Sequence, residues 1–201
     1  MRFPRTAPML LSGLVAACAA GAPDAAPPQV DVPAASAGST VPPPPEDASA
    51  PTPYTAEQIR DATKVGRTYE FVIEKPDAPP ERLRMKFVAV TAQGATVESV
   101  PLDGTGKPTG KVERGDSTWA ELRDHAKYPR AGTTIEEATT LTPAGTFTCK
   151  RYTVVEQKPA GEARTVACFA SDLPGPPVEL RKEMGGQLVM TMSLLRHEAG
   201  N

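Results

Sequence analysis

The sequence predicts a mainly β domain of the α+β class, one antiparallel sheet of about eight to nine strands with two helices, over residues 54–201 of a 201-residue chain. Three observations predict it. Apolar residues alternate with charged ones, as Leu83, Met85 and Phe87 do with Arg82, Arg84 and Lys86, the period of a strand with one wet face. Turn signals recur at near-regular spacing: Pro143-Ala144-Gly145, Pro159-Ala160-Gly161, Pro174-Gly175-Pro176-Pro177 and Gly185-Gly186. Two stretches carry the capping-box signature of a helix start.

The chain begins with a short basic segment holding Arg2 and Arg5, then an apolar stretch from Ala7 to Val15, then small residues. That order is a secretory signal, residues 1–17. Val15-Ala16-Ala17-Cys18 resembles the lipobox of bacterial lipoproteins. The resemblance implies cleavage before Cys18, a diacylglyceryl group on its sulfur and an acylated amino terminus. Several acyl chains anchor stably where one does not. Ala19, where an Asp would imply inner-membrane retention, favours the outer membrane under the family's sorting rule. The alternative is an ordinary secreted protein cut at Ala20-Gly21-Ala22, with Cys18 lost.

Residues 18–53 read as the lipidated Cys and a Pro/Ala-rich disordered tether. From residue 19 to 53 the tether holds 10 of the 23 prolines, four acids (Asp24, Asp31, Glu46 and Asp47) and no aromatics. Such a segment buries too little to offset its ordering entropy. Extended as polyproline II it reaches roughly 110 Å, enough to work away from a membrane surface. Removing Arg2 and Arg5 from the 22 bases, and the four tether acids from the 24 acids, leaves the domain 20 of each. A neutral domain lacks the footprint of a general nucleic-acid binder. No apolar run approaches the roughly 18–20 residues of a membrane-spanning helix.

The domain opens with a helix capped by Thr55 with Gln58 and stopping near Gly66. Tyr69, Phe71 and Ile73 mark the first strand, Arg82–Phe87 the second, and Ala95–Val100 the third. Val88-Ala89-Val90 breaks the alternation as a continuous apolar run, as if covered on both faces. A second helix is expected near Ser117–Tyr128, with Thr118 and Glu121 as its capping box and Trp119, Leu122 and Ala126 on one face. Strands follow around 135–141, 146–156, 162–170, 178–184 and 188–195. For the last hairpin, a three-residue loop (Gly185-Gly186-Gln187) pairs Met184 with Leu188, Leu180 with Met192 and Val178 with Leu194. A two-residue loop would instead oppose Leu180 to Thr191 and Arg181 to Met190, so the three-residue loop is favoured.

Cys149 and Cys168 lie in consecutive strands with their midpoint at Lys158-Pro159, so a symmetric hairpin sets them directly opposite each other. In an oxidising compartment the simplest expectation is a cross-strand disulfide. Unpaired buried thiols are the alternative. Two Cys and two distant His do not make a metal site of usual spacing.

Several motifs fail on inspection. Gly104–Lys111 resembles a phosphate loop, but Thr105 stands where its first Gly belongs and Val112 where Ser or Thr belongs. Ser117, Asp124 and His125 lack a nucleophile elbow. Glu136 and Glu137 are adjacent on a strand and point to opposite faces. Arg82, Arg84 and Lys86 read as a solvated outer face. Met85, Met184, Met190 and Met192 can fill a core or line a pocket, since Met adapts to irregular shapes. No catalytic residue, cofactor or metal ligand is assigned.

Thr142-Pro143-Ala144-Gly145 before Thr146-Phe147-Thr148-Cys149, then Leu173-Pro174-Gly175-Pro176-Pro177-Val178, then a Gly-turn hairpin ending in Met-Thr-Met-Ser-Leu, resembles uncharacterised envelope lipoproteins of Gram-negative bacteria over about residues 54–196. Their domains are similar to the LolA/LolB type, which implies a curved antiparallel sheet or unclosed half-barrel with helices plugging its concave face. That class includes carriers of lipids and lipoproteins, none of whose functional residues matches a motif here. The expectation is a non-catalytic, lipid-anchored outer-membrane protein with its domain in the periplasm. It would bind a lipid or other apolar ligand on a face holding Met85, Met190 and Met192. The alternative is a structural or protein-interaction lipoprotein with no small-molecule ligand.

Overall fold

Nine strands join in one open antiparallel sheet in the computed structural model, which describes residues 48–201. The leader, Cys18 and the tether up to residue 47 lie outside the described residues. The elements run α1 (Ala56–Ala62), β1 (Thr68–Glu74), β2 (Glu81–Val90), β3 (Gly94–Leu102), β4 (Glu113–Thr118), α2 (Trp119–Asp124), β5 (Thr133–Thr142), β6 (Gly145–Lys158), β7 (Gly161–Ala170), β8 (Glu179–Met184) and β9 (Gln187–Glu198). Spatial order is β4-β3-β2-β1-β9-β8-β7-β6-β5. Two meanders, β1–β4 and β5–β9, are thus sewn together by their first and last strands, with Phe71 opposite Leu194 and Ile73 opposite Met192.

β4 and β5 are consecutive in sequence and lie at opposite edges of the sheet. The chain between Thr118 and Thr133 must therefore traverse the sheet, and it carries α2 across the inner face, against α1. Tyr69, Phe71, Phe87, Trp119, Tyr152, Phe169 and Leu194 are buried there. The Tyr152 and Phe169 rings meet edge to face at 5.4 Å, and the Tyr54 ring stands edge-on to Phe169 at 6.1 Å.

Both helices are short and start on the expected capping boxes. Gln58 N–H donates to Thr55 Oγ1 at 3.2 Å while Thr55 N–H donates to Gln58 Oε1 at 2.8 Å. Thr118 and Glu121 exchange the same pair at 3.2 and 2.7 Å, and the backbone N–H of Thr118 holds the Glu121 carboxyl below its usual range. α2 is shorter than expected, ending at Asp124. Arg67 is buried beside the end of α1, donating to the Ala62 carbonyl at 2.7 Å with its guanidinium 5.0 Å over the Tyr69 ring.

Five further expectations change. Residues 48–53, counted with the tether, belong to the domain: Ala50 N–H donates to Tyr128 O, Arg130 N–H to Ala48 O, and Tyr152 Oη to Pro51 O. β4 is a strand the alternation did not mark. Its residues Glu113–Thr118 are exposed or half-buried, so no apolar period exists to find. Gly94 lets it close on β3, because a Cβ there would stand 2.2 Å from Ser117 O. At Val88-Ala89-Val90 the break in alternation is a bulge between Phe87 and Ala89, with Ala89 exposed, and no second layer covers it.

The last hairpin turns on two residues, Gly185 and Gly186, both with φ above +50°. Met184 therefore faces Gln187, not Leu188. A bulge between Lys182 and Glu183 then shifts the register, so Leu180 does meet Met192 and Leu194 N–H donates to Val178 O.

The β6–β7 hairpin also turns tightly, with Lys158 opposite Gly161. This moves the register: Cys149 faces Ala170, and Cys168 faces Arg151. The cysteines are diagonal neighbours, not directly opposite. Their Cα atoms are 5.6 Å apart, within disulfide reach, and they are bonded.

Candidate functional site

The inner face of the sheet and the two helices enclose a cavity of about 350 Å3. Its walls are Met85 and Phe87 of β2, Phe169 of β7, Leu180 of β8 and Met192 of β9, with Ile59 of α1 and Leu122 and Ala126 from α2 and the turn after it. Pro176 and Pro177 close one side. Their loop lies against the core because Gly175 has no side chain. A Cβ there would stand 2.5 Å from Tyr69 Oη, and φ is +157°.

Register explains why these residues meet. On the inner face one row across the sheet is Tyr152, Ala167, Leu180 and Met192. The next row toward the β8–β9 turn is Val154, Thr165, Lys182 and Met190. The first row is apolar and carries part of the cavity floor. The second introduces a hydroxyl and a cation side by side, and both Thr165 and Lys182 line the cavity. His125 and Tyr128 add two more polar groups from the crossing segment. Burial raises the Tyr128 phenol above its usual range. Lys182 makes no ion pair among the described residues, and His125, Tyr128 and Thr165 make no side-chain hydrogen bond. Lys182 and His125 are exposed, and no buried or half-buried described residue has a fully buried side-chain polar atom without a partner, so the Tyr128 and Thr165 hydroxyls are not sealed in the core.

The outer face is organised differently. Glu70 is 1% exposed, and its carboxylate takes Arg196 Nε and Nη2 at 3.0 and 2.9 Å. Arg84 and Arg82 lie at 3.7 and 3.8 Å. Arg82 and Arg84 are thus partners of a buried charge as well as a wet face, a correction to their reading as simply solvated. Further along, Cys168 shares a shallow hollow with Glu136, Arg151, Arg164, Glu179 and Arg181. Glu136 pairs with Arg151 at 3.3 Å, and Arg164 and Arg181 both reach Glu183.

Of the ligand face expected from sequence, Met85 and Met192 line the cavity. Met190 shares the row of Thr165 and Lys182 but does not line the cavity, and Met184 sits at the turn. Phe87, Phe169, Leu180 and the Pro176-Pro177 wall were not singled out. Lys182 had a visible signal: it occupies the apolar phase of the series Val178, Leu180, Lys182, Met184. Ser117, Asp124 and His125 form no relay, since Asp124 is held by Arg123 at 2.7 Å and His125 faces the cavity. In the segment resembling a phosphate loop, Asp103 accepts the backbone N–H groups of Thr105 and Lys107, a self-contained turn. Cys18 lies outside the described residues.

No family model matches the chain, and no curated protein matches it. Solved structures do. One is a protein described as exported, with a YmcC-like fold, from Bacteroides fragilis: 13% identity, TM-score 0.44, covering 68% of this chain and 97% of that one. A second is described as a lipoprotein from Parabacteroides distasonis: 10% identity, TM-score 0.41, covering 68% and 96%. A third is MucB: 11% identity, TM-score 0.47, covering 72% of this chain and 57% of that one. At these identities and scores, neither a ligand nor a residue role carries over.

Proposed function

We propose that this is an exported, lipid-anchored carrier domain that holds an apolar ligand in the cavity between its sheet and its helices and performs no covalent chemistry. The observation that carries the reading is the cavity of about 350 Å3, walled by Met85, Phe87, Phe169, Leu180 and Met192. Small-molecule sites run from about 300 to 1,000 Å3 and are mostly apolar with a few polar groups, which is this composition. The proposed anchor is Cys18, and Ala19 after it favours the outer membrane, with the domain facing the periplasm. Labelled palmitate should enter the wild-type chain and not Cys18→Ser. Native mass spectrometry of the chain from Ala19 onward, exported behind an ordinary cleavable signal, tests the ligand. A co-purifying or added lipid retained on the protein is the expected result. An apo mass that stays apo on adding lipids overturns it.

A protein-interaction role has one observation in its favour. β5 is a free edge of ten residues, with Ile135 and Leu141 38% and 78% exposed. Crosslinking of the anchored form would then capture a partner along β5.

A further inference from the structure

We propose that the cavity selects a single-chain amphiphile with an anionic head, which Lys182 and Thr165 hold at the mouth. This rests on the reading of the cavity as a ligand site and adds what that ligand must be.

Three observations lead there. The first is size. Allowing about 30 Å3 for each water-sized group, the cavity takes about a dozen methylenes, one alkyl chain of medium length. The second is the order of chemistry along the floor. Leu180 and Met192 belong to the apolar row, and Thr165 and Lys182 stand directly opposite each other in the next, two residues nearer the β8–β9 turn. A chain lying on the first row brings its head to the second. The third is charge. Lys182 projects on the inner face, where the alternation of its strand calls for an apolar residue, and no carboxylate pairs with it among the described residues. The acid next in sequence, Glu183, is taken by Arg181 at 2.7 Å and Arg164 at 3.5 Å. An ammonium at an apolar mouth attracts an anion, and Thr165 supplies a hydroxyl donor beside it.

The test compares dodecanoate with dodecanol, equal in chain and different in head charge, by calorimetric titration of the exported chain from Ala19 onward. Dodecyl phosphate is the third ligand, separating a carboxylate head from a phosphate one. Wild type should bind dodecanoate about three- to tenfold tighter than dodecanol, the range of one partly exposed charge-assisted contact. Lys182→Gln should remove that advantage, weakening dodecanoate several-fold more than dodecanol. Thr165→Val should remove a smaller part of it. Phosphate bound more tightly than carboxylate, with the same loss in Lys182→Gln, supports the proposal with a phosphate head. Equal binding of charged and neutral chains, or an equal loss of both in Lys182→Gln, overturns this inference and leaves the carrier reading standing. Binding of none of the three overturns the carrier reading and this inference with it. Leu180→Trp, which fills the floor, should weaken all three ligands together.

Discussion

Glu70 and Lys182 sit two strands apart in one sheet, on opposite faces, and their circumstances are opposite. Glu70 is almost wholly buried and has three guanidinium groups around it. Lys182 is exposed at a cavity mouth and has no counter-ion among the described residues. A charge kept for the fold is buried and paired, because leaving it unpaired would cost several kcal/mol. Lys182 has no such structural partner among the described residues, and it is the group we propose receives a ligand's head.

That contrast can be broken by experiment. The largest effect should come from the outer face. Replacing Cys149 and Cys168 by Ser frees a 19-residue separation and should cost about 3 kcal/mol. It is read as a lower urea midpoint, and an unchanged midpoint would mean the link adds no stability. Glu70→Gln removes the carboxylate charge from Arg196, Arg84 and Arg82. These arginines are partly exposed and can rehydrate, so the loss should be about 2 kcal/mol, below the full figure for breaking a buried pair. A midpoint equal to wild type would dismiss Glu70 as a structural centre.

The inner face should respond to alkali. Burial raises the phenols of Tyr54 and Tyr69, and that of Tyr152 to about 12. An unfolded tyrosine ionises near about pH 10. Above that the unfolded chain releases protons that the native one keeps. The stability is therefore whole below about pH 10 and is lost as pH rises through about 12. Urea midpoints that stay level across this window would contradict it. Lys182→Gln should have the smallest effect, within about 0.5 kcal/mol. A loss comparable to Glu70→Gln would erase the contrast between the two charges.

What the sequence made legible follows the same division. Strands with one buried face declared themselves through alternation, and the two capping boxes located both helices. β4 was hidden because neither of its faces is buried deeply enough to impose a period. The right cysteines were paired in the wrong register, because a tight two-residue turn at Pro159-Ala160 displaces the ladder by two residues from a symmetric pairing. Met85 and Met192 were readable as residues of one inner face, and both line the cavity, whereas Met190, expected with them, does not. The rest of the cavity comes from β2, β7, α1, α2 and the Gly175–Pro177 loop, whose convergence is set by the long crossing from β4 to β5. No local pattern encodes that crossing. Lys182 was readable in principle, as a cation in the apolar phase of its strand.

The pairing of the first strand with the last also governs when this domain exists. The contact between Glu70 and Arg196 spans 126 residues. A chain made from its amino end holds β1 with one ladder unpaired until β9 arrives, and the centre of the sheet is the last part completed. Until then each meander shows a bare strand edge to its surroundings. Such long-range pairing is slow to form. The domain is therefore late and all-or-none in its assembly: a chain that stops short of β9 has two half-sheets and no middle.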